Sequence, residues 1–158
     1  MIKNKTNAMR ILDGAKIKYE ILEYVPDEND LKGTHVAEQI GFSPDKVFKT
    51  LVAHGDKTGY IVFCIPSCCE IDLKRAAQAT GNKKIEMVHV KELLSIAGYV
   101  RGACSPIGMK KKFPTFFDKS ATKLDKITVS GGIKGAQLLI SSTELIEFTG
   151  AKLCDVIR

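Results

Sequence analysis

No stretch of this chain reaches the roughly 18 uninterrupted apolar residues that a bilayer-spanning helix needs. The sequence opens Met-Ile-Lys-Asn-Lys, without the apolar segment of a secretory leader. The expectation is a cytoplasmic protein with no membrane partner. Neither G-x-x-x-x-G-K-[ST] nor G-x-G-x-x-G occurs, which argues against nucleoside-triphosphate and dinucleotide chemistry. The five cysteines, Cys64, Cys68, Cys69, Cys104 and Cys154, form an odd set with no C-x-x-C pair and read as reduced thiols. Combining Cys68 and Cys69 with the distant His35, His54 or His89 matches no common zinc spacing, so neither a metal nor a cofactor is expected. Internal repeats and low-complexity segments are also absent.

What is present is an ordinary globular composition. The 158 residues fit one domain spanning 1–158, and hydrophobic and charged fractions of 44% and 27% are close to average usage. Lys and Arg number 24 against 18 Asp and Glu, a net charge of +6, which tilts the partner expectation toward something anionic.

Periodicity alternates between the two regular patterns. A helix is expected from Asn7 to Ala15, capped by Thr6, with Ala8, Ile11, Leu12 and Ala15 on one face. Ile17, Tyr19 and Ile21 alternate with charged residues as in a half-buried strand that ends at Pro26. A polar loop over 27–33 follows, then a short helix capped by Thr34 and closed by Gly41. Val47 to His54 and Gly59 to Ile65 form the clearest hairpin. Asp72 opens a helix that stops at Gly81, Ile85 to Val88 is a short strand, and Lys91 to Ala97 a helix. Phe113 to Phe117, Ile127 to Ser130, Ala136 to Ile140 and Lys152 to Ile157 are strand candidates, and Ser141-x-x-Glu144 is a capping box for a helix ending at Gly150. Short strands interleaved with short helices predict an α+β fold, a mixed sheet or partly closed barrel with helices outside.

Three places offer chemistry. The run Gly98-Tyr99-Val100-Arg101-Gly102-Ala103-Cys104-Ser105-Pro106-Ile107-Gly108 is too rich in glycine and proline for a helix or regular strand. Such a loop lets backbone approach a ligand, and Lys110, Lys111 and Lys112 after it attract anions; an ordinary turn beside a solvated basic face has the same composition. Lys49 lies in the apolar strand Val47-Phe48-Lys49-Thr50-Leu51-Val52; facing inward it needs an anion, and on an edge it simply meets water. Ser130-Gly131-Gly132 can present backbone N–H groups to an oxygen. A Ser–Lys hydrolase built on Ser105 or Ser130 with Lys49 has no spacing signature, and nothing singles out a histidine as base for Cys104.

Phe48-Lys49-Thr50-Leu51, Asp72-Leu73-Lys74, Gly98-Tyr99-Val100-Arg101-Gly102 with Ser105-Pro106-Ile107-Gly108, and Val129-Ser130-Gly131-Gly132 resemble, in order and spacing, the YbaK/EbsC family, which is related to the editing domain of bacterial prolyl-tRNA synthetases. The resemblance runs from about Asn7 to Arg158. It implies a mixed, distorted β-barrel flanked by α-helices and a trans-editing deacylase that cleaves mischarged aminoacyl-tRNA, with Cys-tRNA(Pro) as substrate and prolyl-tRNA synthetase as partner. In that family the substrate's own thiolate attacks its carbonyl. The resemblance assigns Lys49 to hold the substrate near the terminal ribose, and Gly102, Ala103, Cys104, Ser105, Ser130, Gly131 and Gly132 to the walls of the aminoacyl pocket. Tyr19 and Tyr24 would border it. Arg101, Lys110, Lys111 and Lys112 would meet tRNA phosphates. Where many family members carry an acid after the Ser-Gly-Gly loop, this chain has Gln137, which keeps hydrogen-bonding capacity without charge. A water-using alanyl-tRNA(Pro) deacylase and a non-catalytic module binding tRNA or the synthetase are the alternatives. Oligomeric state is left open by the sequence.

Overall fold

The computed structural model describes residues 4–27, 29 and 33–158. The expected loop over 27–33 and the first three residues of the chain fall largely outside these. Helix α1 (Asn7–Gly14) is capped as anticipated: the Thr6 hydroxyl accepts the Met9 N–H at 3.2 Å. Strand β1 (Tyr19–Glu23) and helix α2 (Gly33–Ile40) follow. Thr34 lies within α2 rather than capping it, because the helix already begins at Gly33. A 3₁₀ turn over Pro44–Lys46 leads into β2 (Phe48–Gly55) and β3 (Gly59–Pro66).

The remaining elements are α3 (Leu73–Thr80), β4 (Ile85–Met87), α4 (Val90–Ala97), β5 (Thr115–Asp118), β6 (Lys126–Ser130), β7 (Ala136–Ser141), α5 (Ser142–Thr149) and β8 (Lys152–Cys154). Asp72 caps α3 by accepting from Lys74 and Arg75, and Ser141 caps α5 by accepting from Glu144. A second 3₁₀ turn, Lys119–Lys123, which the periodicity does not announce, separates β5 from β6.

The fold is a mixed α+β arrangement with two sheets. Strands β1-β7-β6 form an antiparallel sheet of three, and β4-β2-β3-β5-β8 a mixed sheet of five. No ladder among the described residues closes them into one barrel; a single parallel bridge, Val47 to Thr128, joins them. Strand β3 of the larger sheet is buried on both faces, which explains why it reads Tyr-Ile-Val-Phe-Cys-Ile-Pro without polar alternation. Val62 and Cys64 face the core shared with α1 and the smaller sheet, whereas Ile61, Phe63 and Ile65 face α3.

Asn82, just past α3, ties the β2–β3 turn to that helix. Its Oδ1 accepts from Lys57 N at 2.8 Å and Thr58 N at 3.0 Å, and its Nδ2 donates to the Thr80 hydroxyl at 2.8 Å. The side chain is buried against Gly55, where a Cβ would collide with it. Asn82→Ala strands these turn N–H groups and is expected to lower the free energy of unfolding by about 1–3 kcal/mol, measured by urea denaturation.

Candidate functional site

The register of the larger sheet makes an opening. Strand β2 pairs with β3 along its whole length, but β4 pairs only with its end, from Ala53 to Gly55. Between the Val47–Thr128 bridge and that short ladder, no strand among the described residues pairs with this edge of β2. Val47 O accepts from Ser67 N at 2.7 Å on the β3 side, while Val52 O accepts from Val88 N at 3.0 Å on the other. Because peptide groups alternate along an antiparallel strand, the Thr50 N–H and C=O also turn toward the unpaired side.

A cavity of about 600 Å³ fills this gap. All of Val47–Val52 lines it, with Met87 from β4, Val88 just after that strand and Leu93 from α4, Arg101, Gly102 and Cys104 from the glycine-rich loop, and Ser130 and Gln137 from the smaller sheet. The turn Ser67–Glu70 after β3 forms another wall, and Tyr24, Thr34 and Val36 also line the cavity. The volume is that of a small-molecule pocket.

Lys49 is half-buried, on the same side of β2 as Leu51. Strand β2 is internal to the sheet order rather than an edge, and its Lys49 end borders the cavity. Thr50 points to the opposite face, its hydroxyl 3.8 Å from the Cys64 sulfur.

Ser130 accepts from Gly132 N at 3.1 Å, and the Thr6 hydroxyl donates to Gly131 O at 2.6 Å, anchoring the Ser-Gly-Gly loop to the start of α1. Tyr99 fastens the second loop to the first: its hydroxyl donates to Ile107 O, and its ring packs against Gly132. Gln137 lies opposite Ser130 in the β6–β7 register, 6% exposed, and its Oε1 accepts from the Thr128 hydroxyl at 3.0 Å. That bond turns the amide Nε2 away from Thr128.

The other residues expected in the pocket lie elsewhere. Ala103 and Gly132 line a separate recess of about 330 Å³ beside Tyr99. Ser105 is fully buried, and its hydroxyl accepts from Ile107 N at 3.2 Å, a turn-stabilising role. Gly131 is buried between Ala136 and Met9 and does not reach the cavity wall. The Tyr19 hydroxyl donates to Asp13 at 2.9 Å on the outer side of α1, where Lys5 pairs with the same carboxylate. The hydrogen bond from Lys5 holds the Asp13 carboxyl below its usual range. Lys110, Lys111 and Lys112 are exposed and outside the cavity, with the Lys110 stem beside Gly98.

Burial pushes the Cys104 thiol up to about 12 and the Tyr99 phenol likewise to about 12, so both stay protonated at neutral pH. The Cys64 thiol is raised by burial still further. Periodicity missed Thr50, the turn carrying Cys68 and Cys69, and the walls from β4 and α4. The one available signal was the unequal length of the strands flanking β2.

Residues 32–148 match the aminoacyl-tRNA editing domain family. The chain belongs to this family. This editing domain is 42% identical over 154 residues to EbsC of Enterococcus faecalis, covering 98% of this chain and 94% of the relative, which is named as a proposed Cys-tRNA(Pro)/Cys-tRNA(Cys) deacylase. It is 26% identical to the uncharacterized protein YwhH of Bacillus subtilis over 74% of each chain. The crystal structure of a proposed trans-editing enzyme for prolyl-tRNA synthetase superposes with a TM-score of 0.81 at 21% identity, covering 96% of this chain and 92% of that one. At that identity the likeness bears on the fold.

Replacing Thr128 by Val keeps the shape of the side chain and removes the donor to Gln137, leaving a buried amide oxygen unpaired. The expected cost is about 1–3 kcal/mol of stability by urea denaturation.

Proposed function

We propose that the chain, across 1–158, is a single trans-editing deacylase that cleaves the ester of mischarged tRNA, with cysteinyl-tRNA(Pro) as substrate and prolyl-tRNA synthetase as its working partner. The observation that carries this reading is the convergence of Lys49, Arg101, Gly102 and Ser130, from three separate stretches of sequence, on one cavity beside an unpaired strand edge. The name of the 42% identical relative supports the same substrate class.

An aminoacyl ester is already activated, so the protein needs chiefly to position it and to stabilise the developing oxyanion. Lys49 holds the terminal ribose, while the Gly102 and Ser130 loops enclose the aminoacyl group. The substrate thiolate attacks its own ester carbonyl, the bond to the ribose oxygen breaks, and a cyclic thiolactone leaves the tRNA behind. No protein nucleophile takes part. That agrees with Ser105 being fully buried in a turn and with the Cys104 thiol being held protonated.

Gln137 motivates a second reading. A neutral amide in the wall is suited to orienting a water molecule, which is the chemistry of an alanyl-tRNA(Pro) deacylase. Specificity between such small side chains rests on about 1–3 kcal/mol per methylene.

Single-turnover hydrolysis of both esters separates the readings. Rapid loss of the cysteinyl ester alone, slowed by about 10²-fold in Lys49→Ala, is the expected outcome. Faster loss of the alanyl ester transfers the protein to the water-using branch, and no hydrolysis of either above the buffer rate overturns both.

Arg101, Lys110, Lys111 and Lys112 contact the acceptor-stem phosphates in this reading. Binding of tRNA is then expected to weaken with salt, log K falling by about 0.7–0.9 per log unit of salt for each phosphate contact. A filter-binding titration in which the three lysines are changed to alanine should show a shallower slope; an unchanged slope removes them from the interface.

A further inference from the structure

We propose that Cys68 and Cys69 form an oxidation site in the cavity wall, where a hydroperoxide converts two adjacent thiols to a disulfide and reshapes the pocket beside Lys49. The two sulfurs lie 3.9 Å apart in the turn after β3, and both side chains line the cavity. Cys68 is exposed and Cys69 partly so, whereas Cys64 and Cys154 are buried. Burial pushes the Cys104 and Cys154 thiols up to about 12, which makes them poor nucleophiles at neutral pH. Cys69 is also raised by burial, with the charge of Lys49 acting in the opposite direction.

The chemistry balances with the hydroperoxide alone. The Cys68 thiolate attacks one peroxide oxygen, the O–O bond breaks, and the departing hydroxide takes up a proton as water, leaving a sulfenic acid. The Cys69 thiol then attacks that sulfur as its proton passes to the leaving oxygen, the S–O bond breaks, a second water leaves, and the S–S bond forms. Two electrons pass from the dithiol to the peroxide. Adjacent residues have Cα atoms about 3.8 Å apart across a trans peptide, below the range of about 4.4–6.8 Å for ordinary disulfides. The ring is therefore strained and readily reduced, as a reversible site requires.

The turn is mechanically tied to the strand that carries Lys49. Cys69 N donates to Pro66 O at 3.0 Å, Ser67 N to Val47 O at 2.7 Å, and the Ser67 hydroxyl to Pro44 O at 2.9 Å. Drawing the two sulfurs together twists this turn against Val47, two residues before Lys49. The effect on activity rests on the deacylase reading; the sulfur chemistry does not.

The test treats the reduced, native full-length protein with hydrogen peroxide, blocks the remaining thiols and maps peptide masses. The expected result is loss of two hydrogens from the peptide containing Cys68 and Cys69, reversed by dithiothreitol and absent in both Cys68→Ser and Cys69→Ser. Oxidation that appears first at Cys104 or Cys154, or that runs to sulfinic acid without the disulfide, overturns the proposal. In parallel, cysteinyl-tRNA(Pro) hydrolysis by the oxidised native protein should fall by about tenfold to 10²-fold and recover on reduction, while each serine variant keeps its own untreated rate. A disulfide that forms without changing the rate overturns the coupling to the pocket. A protein that cleaves neither ester but still forms the reversible disulfide fails the deacylase reading and keeps the sulfur site.

Discussion

The fold turns on the mismatch between β2 and its neighbour β4. Strand β2 spans Phe48–Gly55, is held along its length by β3, and meets β4 over only Ala53–Gly55. A strand covered on both edges would leave no room for a ligand. One left bare would be a docking site for other strands. Here the smaller sheet meets the chain at Val47, just before β2, and β4 pairs with the far end of β2, and the interval between them borders the cavity. The burial of β3 on both faces holds that interval rigid, since any shift would disturb two packed clusters at once.

The chemistry drawn from this arrangement is that of placement. Its polar groups come from distant parts of the sequence, among them Lys49 and Thr50 from β2, Arg101 from the glycine-rich loop, and Ser130 and Gln137 from the smaller sheet. Tyr99 couples the loops by bonding to Ile107 O and packing on Gly132. A pocket assembled in this way can select a substrate by fit while supplying no strong base, which suits a reaction whose ester is already reactive.

Much of this was legible in the amino-acid order because local signals and burial agree. Thr6, Asp72 and Ser141 cap the helices they precede, and the β2–β3 hairpin follows its apolar runs. Thr34 misled because a residue suited to capping also tolerates the first turn of a helix. The family resemblance assigns Ser105 to the pocket wall, yet its hydroxyl serves the turn around Ile107. The position of Lys49 was recognisable, but its surroundings were not. Strand order and the length of the β4 ladder are set by pairings between distant residues, which no local period encodes.

The same long-range pairings bear on how the chain comes to be folded. Strand β1 near residue 20 must wait for β7 near residue 140, and β5 is flanked by β8 only once residues 152–154 are present. Ile71 bridges to Ile157 across most of the remaining chain. Such contacts require large loops to close before they stabilise anything, so folding is expected to be slow for the size of the protein. During synthesis the apolar β2–β3 hairpin emerges after α1 but well before α3, β5, β6 and β7, which complete its cover. For that interval it is exposed to pairing with other chains, and the cell must shield it until the last strand arrives.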